Sequence, residues 1–292
     1  MVTKNSNLSL YLRIISYSVL AFTLAFLINN VLTVWSDWPG IKKIFSHHEM
    51  FGFKKKALEG SDLNYGYMQI GLYLICIAAV VFYVFKTYSQ TLEQDSKILS
   101  RFSAYLVRSS FWAVFLVGVA DFVISFMVVE RLWEAIFSPE VKALMVKAPV
   151  RITYIHFPII LISFVIGYFT KSVGFIWLAV LVVVSEFVIV LSRFIFSYEQ
   201  AFQGDLVRFW YAALYLFASA YALIHEGHVR VDVLYSSFSE KKKAWTNMVG
   251  SAVLGVPLTL IVIFLGLNGK ASIINGPVAV SYTHLTLPTI LS

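Results

Sequence analysis

Apolar residues are gathered into about seven long stretches along the chain, and the charged residues fall mainly between them. Because an α-helix rises 1.5 Å per residue, about 20 apolar residues are enough to cross the ~30 Å hydrocarbon core of a bilayer. We therefore predict an all-α fold, a polytopic bundle of transmembrane helices. The predicted spans are residues 14–34, 67–85, 105–129, 152–170, 174–196, 207–224 and 247–267.

Two longer polar segments separate the early spans. Residues 35–66 contain three consecutive lysines at 54–56, which are too charged to enter lipid, so we interpret this segment as an extramembrane loop. In the second segment, residues 130–151, the apolar positions of 141–148 share one helical face. That pattern fits a short interfacial helix, and an ordinary loop is the alternative.

Composition narrows the class of protein. Of the 292 residues, 59% are hydrophobic and 13% are charged, whereas soluble domains carry about 25% charged residues. This leaves too little polar surface for a soluble enzyme fold. The net charge of +7 comes from short basic runs between apolar stretches, which indicates membrane-flanking charge rather than nucleic-acid binding. The single cysteine, Cys76, excludes an intrachain disulfide and a cysteine-rich metal site.

The distribution of lysine and arginine gives a partial orientation. The loop after the fifth span has no basic residue at 197–205, whereas the loop at 225–243 has four. The second loop is therefore predicted to be cytoplasmic. Alternation from there places the N-terminus inside but the basic segments 35–66 and 130–151 outside, so the orientation of the N-terminal half stays open.

The most informative segment reads ASAYALIHEGHVRVDVLYSSFSEKKKAW at residues 218–245. It joins a small-residue helix end, the run Glu226 to Asp232, a Leu-Tyr pair, a basic stretch and an aromatic residue. This ordered series resembles the small membrane subunit of TRAP transporters, the DctQ-type family. Upstream, LSRFIF at 191–196 and GDLVRFWY at 204–211 resemble the end of the family's first helix and the start of its second.

The resemblance divides the chain into three parts. Residues 1–173 would form an N-terminal transmembrane extension with about four spans and two extramembrane loops. Residues 174–275 would form the DctQ-like core with three of the family's four helices, so the C-terminal core helix is expected to be missing. Residues 276–292 contain SYTHLTLPTILS, which resembles translated adapter sequence, and this tail is expected to be non-native.

The resemblance also implies a function. It implies a small scaffold subunit of a tripartite, sodium-coupled secondary transporter for small organic acids, in the bacterial inner membrane. Its expected partners are the large transport subunit, a periplasmic substrate-binding protein and membrane lipid. On this interpretation the chain is not an enzyme and binds no cofactor or metal itself, and sodium is implied only for the assembled transporter.

Within the motif, five residues are candidates for assembly: Gly227, His228, Arg230, Asp232 and Tyr235. The charges of Arg230 and Asp232 alternate with valines, so in an extended segment they share one side of the strip. Gly227 allows the chain to turn out of the preceding helix. An ordinary cytoplasmic loop is the alternative, and the family resemblance favours a latch to the large subunit. Charge reversal at Arg230 is predicted to lower co-purification of that subunit.

Three further candidates are charged residues inside predicted spans. Asp121 lies in the third span, and Glu186 and Arg193 lie two helical turns apart on one face of the fifth. An ionised group near the bilayer centre costs ~2.5–3.5 kcal/mol on insertion scales, so each is expected to have a partner. We interpret them as packing or assembly residues; ion coupling, or an autonomous channel or carrier, is the alternative.

The histidines support one alternative from another class. His156, His225 and His228 could be drawn as ligands of a haem, which would make the chain a haem or quinone-binding membrane redox subunit. Transmembrane haem ligands generally face each other within helices, whereas His225 and His228 lie at a helix end. We therefore prefer the transporter interpretation.

Overall fold

The computed structural model describes residues 7–145, 148–171, 175–197, 201–224, 233–269 and 271–276, and none of these residues lies in a strand. The helices in chain order are α1 (Asn7–Trp35), α2 (Ile41–His47), α3 (Ser61–Lys86), α4 (Leu92–Val129), α5 (Trp133–Ile136), α6 (Pro139–Met145), α7 (Ala148–Arg151), α8 (Phe157–Phe169), α9 (Phe175–Phe196), α10 (Ala201–Ile224), α11 (Glu240–Gly250) and α12 (Val256–Gly266). π-helical turns at Ile152–His156 and Ser251–Gly255 lead into α8 and α12, and single 3-10 turns occur at Met50–Gly52 and Tyr235–Ser237.

Six helical segments among the described residues are long and apolar enough to cross a membrane. They are α1, α3, α4, α8 with its π-turn, α9, and α11 to α12 as one continuous segment. The predicted helical membrane bundle is confirmed. The seventh predicted span, 207–224, is also helical and forms most of α10, but it is not among the six. Its crossing of the membrane therefore stays a prediction.

α4 is longer than the sequence pattern predicts. The predicted span begins at residue 105, but the helix begins at Leu92 and has 38 residues, a length of about 57 Å. A reciprocal cap starts it: the backbone N–H of Thr91 donates to Gln94 Oε1 (2.9 Å), and the N–H of Gln94 donates to Thr91 Oγ1 (3.3 Å). The first turns of α4 are polar and extend beyond the bilayer core. A search for apolar stretches does not detect them.

The segment 130–151 contains short helices rather than one loop. The predicted helical face at 141–148 falls on α6, which begins at Pro139, and on α7, which follows it. A short helix at this position is confirmed, and its placement at the membrane interface stays a prediction.

The chain forms two compact units by its internal contacts. Among the described residues, the first unit comprises those of 7–96 with those of 233–276, and the second comprises those of 97–224. These units describe packing, whereas the division at residues 173 and 275 describes sequence resemblance. That division stays a prediction, and residues 277–292 are not among those described.

In the first unit, α1 and α3 pack antiparallel. The ring of Tyr17 meets that of Tyr83, and the ring of Phe22 meets that of Tyr73, with centroids 5.3 and 5.2 Å apart. Since the partner number falls as the position on α1 rises, the two helices run in opposite directions. The connection between them, residues 36–60, contains α2.

A buried amide links the two helices at the hairpin end. Gln69 of α3 is fully buried; its Oε1 accepts a bond from the backbone N–H of Gly40 (2.9 Å), and its Nε2 donates to Thr33 Oγ1 (3.0 Å). Gly40 has a φ of +80°, a conformation that glycine adopts without a steric penalty. The turn after α1 is therefore fixed to α3 by paired polar groups.

The end of α12 packs on α1 in the same unit. The ring of Phe264 lies against Phe22 and Phe26, at 5.9 and 4.5 Å between centroids. One turn further along both helices, the side-chain amide of Asn30 donates to the carbonyl of Leu267. The same carbonyl also accepts bonds from the backbone N–H of Gly269 (2.8 Å) and the side-chain amide of Asn275 (3.1 Å), so the turn after α12 is held against α1.

The second unit has its core where α4 meets α9 and α10. Its buried members are Phe111, Leu178, Val182, Ile189, Val207, Trp210 and Ala213. Gly118 of α4 faces the indole of Trp210, and a Cβ at this glycine would lie 2.1 Å from the indole Nε1. Small residues allow such close approach of helices in membranes.

Candidate functional site

The structure describes four of the eight predicted site residues: Asp121 on α4, Glu186 and Arg193 on α9, and Tyr235 in the 3-10 turn before α11. The other four, Gly227, His228, Arg230 and Asp232, fall in residues 225–232, which are outside the described part of the chain. The latch hypothesis for the motif therefore stays a prediction.

Asp121 belongs to a polar cluster between α4 and the start of α8. Its Oδ1 accepts hydrogen bonds from Arg151 Nη1 (3.2 Å) and His156 Nε2 (2.9 Å). The Arg151 and His156 side chains are 9% and 10% exposed, and that of Asp121 is 23% exposed. Because a carboxylate oxygen can only accept, the proton of the histidine on this side is carried by Nε2.

Arg151 also closes the end of a neighbouring helix. Its Nε and Nη2 both donate to the carbonyl oxygen of Met145, at 3.2 and 3.1 Å. The guanidinium thus binds a carboxylate and a helix-end carbonyl together, so its charge is compensated where it is buried. The sequence pattern placed Asp121 in a span but did not identify Arg151 as its partner, since that residue belongs to the polar segment 130–151.

Backbone carbonyls of α8 are bonded to α4 at the other end of this helix pair. Arg108 Nε donates to the carbonyl of Gly167 (3.2 Å), and the Tyr105 hydroxyl donates to that of Phe164 (3.2 Å). Together with the Asp121 cluster, these bonds attach α8 to α4 along its length. The arrangement fits helix pairing, and no substrate cavity is needed to account for it.

Glu186 lies within one residue of the middle of the apolar span Ile176–Ile195, and its side chain is exposed. Among the described residues, no hydrogen bond or ion pair of this carboxylate is found. Arg193 lies seven residues later and is also exposed, and its side chain takes part in an interaction within the chain. The two side chains start about 10 Å apart along the helix axis, too far for a direct contact between the helix positions themselves.

Tyr235 fastens the turn after the motif to α11. Its hydroxyl accepts a bond from Asn247 Nδ2 (2.8 Å), and Lys243 Nζ lies 6.0 Å from the centre of its ring. The turn therefore has a fixed position at the start of the α11 to α12 segment. Sequence reasoning selected Tyr235 through the family resemblance and gave no indication of Asn247.

The described residues contain no group of three or more His, Cys, Asp or Glu side chains placed to hold a metal ion. Of the three histidines drawn as haem ligands, His156 is bonded to Asp121, and His225 and His228 are not among the described residues. The described residues therefore do not test the haem alternative.

The number and apolar character of the helices define a multi-pass helical membrane protein. Residues 179–290 match the family model described as "Tripartite ATP-independent periplasmic transporters, DctQ component". The DctQ-type resemblance is therefore confirmed for this part, which begins within α9 and includes α10, α11 and α12. The match extends into residues 276–292, so the expectation of a non-native tail stays a prediction. No curated protein and no solved structure matches the chain.

Proposed function

We propose that this chain is the small scaffold subunit of a TRAP-type transporter, in which a large membrane subunit performs the transport. The observation that carries the proposal is the match of residues 179–290 to the DctQ component of tripartite periplasmic transporters. That family is a transporter component family and not a family of enzymes. The finer features, namely sodium coupling, small organic acids as substrates and the bacterial inner membrane, are part of the proposal.

The surface of α11 to α12 supports a scaffold role. The segment Glu240–Gly266 is 27 residues long, and none of the residues in its most apolar stretch is buried within the chain. Trp245, Leu254 and Leu258 are each more than 60% exposed. A span with so little internal packing offers its faces to lipid or to helices of another subunit, which fits the proposed contact with a large membrane partner.

Glu186 supports a subunit contact on α9. An exposed carboxylate at the middle of a span costs ~2.5–3.5 kcal/mol when ionised in lipid. A hydrogen-bond donor or cation on a partner helix would remove that cost, because it would replace water as the partner of the charge. We therefore place the contact with the large subunit on the face of α9 that carries Glu186.

The assembled transporter would divide its tasks among three proteins. The periplasmic binding protein would capture the substrate, the large subunit would move it together with sodium, and this chain would brace the large subunit in the membrane. In this proposal the chain itself binds no cofactor, and sodium binds to its partner.

The test is co-purification of a large TRAP-type subunit that is co-expressed with this chain, using a tag on this chain. The Glu186→Lys variant is expected to lower the recovered large subunit at least tenfold, because it places a cation against the donor of the partner. Glu186→Gln retains hydrogen bonding and is expected to reduce recovery less.

Glu59→Lys is the matched control, because it makes the same charge change at an exposed side chain outside α9, α11 and α12. Its recovery should equal that of the unmodified chain. Failure of the unmodified chain to recover the large subunit would contradict the proposed function. Normal recovery with Glu186→Lys would contradict only the placement of the contact. Loss of sodium-dependent uptake in Glu186→Gln with intact assembly would assign Glu186 to ion coupling instead.

A further inference from the structure

Residues 41–56 form a folded segment that is held against the first turns of α3. Ile44 of α2 is buried on Gly66, where a Cβ would lie 2.1 Å from the Ile44 Cδ1, so the two helices are in close contact. Just before the segment, Trp38 stacks on Tyr65 with ring centroids 4.6 Å apart. The segment therefore has a defined position relative to a membrane span.

The length of α3 places this segment at the membrane surface. The helix has 26 residues and is about 39 Å long, which exceeds the ~30 Å hydrocarbon core by about six residues. Its first four residues, Ser61 to Asn64, include three polar side chains, whereas its other end is apolar almost to Lys86. The excess length thus lies at the start of α3, and the segment packed there lies at the level of the lipid head groups.

The segment carries concentrated positive charge. Its five lysines and one glutamate give a net charge of +4 with the histidines neutral, and all five lysines are exposed: Lys42, Lys43, Lys54, Lys55 and Lys56. Lys55 pairs with Glu49 (3.2 Å), and Lys42 donates to Asn268 (3.1 Å). The side chains of Lys43, Lys54 and Lys56 have no hydrogen bond or ion pair within the described part of the chain.

Exposed apolar side chains directly precede Lys54 to Lys56 in the chain. Met50, Phe51 and Phe53 are 45%, 77% and 42% exposed. Phe51 has a φ of +55°, which is uncommon for a residue with a side chain and occurs here in the turn that presents the ring outward. Cationic and large apolar residues side by side are typical of segments that lie in the lipid interface.

We propose that residues 41–56 bind the head groups of anionic phospholipids. Lys43, Lys54 and Lys56 contact the head-group phosphates, and the side chains of Met50, Phe51 and Phe53 enter the boundary between head groups and acyl chains. A lipid fits this surface better than free phosphate because the apolar side chains would gain nothing from a free ion. The acidic residues Asp37, Glu59 and Asp62 flank the segment and leave the positive charge in its middle.

Each lysine near an anionic surface raises the affinity for that surface by roughly fivefold, so three lysines together raise it by at most about 100-fold. Screening by salt lowers this factor. This selectivity can be measured on the full chain in vesicles. A fluorophore is attached at Ala57→Cys, an exposed position, in a Cys76→Ala background. Quenching is then compared between phosphatidylglycerol and phosphatidylcholine that carry the same quencher on the acyl chain.

The expected result is a preference for phosphatidylglycerol of at least fivefold at low salt that falls as salt rises. The triple variant Lys43→Gln, Lys54→Gln, Lys56→Gln should bring this preference close to one. A matched control replaces the lysines at 241–243 by glutamine, which removes the same charge from the start of α11 and should leave the preference unchanged.

Equal quenching by the two lipids in the unmodified chain would overturn the proposal, as would an unchanged preference in the triple variant. Inorganic phosphate separates the two possible sources of the anion. If it abolishes the preference when chloride of equal ionic strength does not, the segment is a free-anion site and the lipid proposal is wrong. Because this readout requires no large subunit, it is independent of the proposed transporter role.

Discussion

Loss of either partner of the buried ion pair between Arg13 and Asp95 should destabilise the first compact unit strongly. Arg13 Nε donates to Asp95 Oδ2, Nη1 donates to the carbonyl of Thr87 (2.8 Å), and Nη2 donates to the Thr87 hydroxyl (2.8 Å). The side chains of the pair are 1% and 6% exposed. The contact joins α1 to the first turn of α4, residues 82 positions apart in the chain.

The size of the expected loss in unfolding free energy follows from the burial of both side chains. Removing one partner of a buried pair leaves an uncompensated charge and costs about 3–5 kcal/mol, so Arg13→Met and Asp95→Leu should each destabilise by this amount. The double variant leaves no buried charge and should lie much closer to the unmodified chain. The coupling energy of this cycle should therefore be at least ~3 kcal/mol. Thr87→Val removes only a hydroxyl partner and should cost about 1 kcal/mol.

The assay is the free energy of unfolding in mixed micelles, obtained by titrating SDS and following far-UV circular dichroism. Trp fluorescence provides a second probe, and agreement of the two transitions checks two-state behaviour. Single variants that cost less than about 1 kcal/mol, or a double variant whose cost equals the sum of the two, would refute the reasoning. Either result would mean that water reaches the ion pair in the native state, or that α1 can separate from α4 while the rest of the first unit stays folded.

Two other substitutions probe the second unit. Gly167→Ala should destabilise by about 1–3 kcal/mol, since its Cβ would lie 2.9 Å from the Ser109 backbone, and a thermal unfolding midpoint in detergent measures this. Asp121→Asn should cost about 2–3 kcal/mol, because Arg151 and His156 lose a charged acceptor, and the same SDS titration measures it.

Controls for these two variants come from the same chain. Gly71→Ala adds a methyl group to a membrane helix where nothing lies within 4 Å, and its unfolding midpoint should not fall. Glu186→Gln neutralises an exposed intramembrane carboxylate, so it should not destabilise the isolated chain. If Gly167→Ala behaves like Gly71→Ala, or Asp121→Asn like Glu186→Gln, the assigned contacts do not support the fold.

The sequence predicted the spans better than their ends. The predicted first span begins at residue 14, whereas α1 begins at Asn7, and α4 begins 13 residues before its predicted span. Helices continue past the bilayer when caps and polar helix formers follow, and hydropathy does not register these signals. The Thr91–Gln94 cap is readable in sequence and would have located the start of α4.

For the candidate site residues, too, the sequence predicted one property and not another. Their depth in the membrane could be predicted, because a single charge within an apolar stretch, such as Asp121 or Glu186, is visible in the local sequence. Their partners could not. Arg151 lies 30 positions from Asp121, and the intervening segment gives no indication of how far the chain turns back.

The sequence by itself therefore determined that this protein is a helical membrane protein with a DctQ-like C-terminal part. Crossing a bilayer depends on the mean hydropathy of about 20 consecutive residues, and the family motif is a linear string, so both can be read locally. Only the tertiary structure decided which polar groups meet. The pairing of Arg13 with Asp95, the fit of Gly118 to Trp210 and the folding of residues 41–56 onto α3 depend on how helices rotate and pack. Hydropathy is nearly the same all round a membrane helix, so it carries no information about that choice.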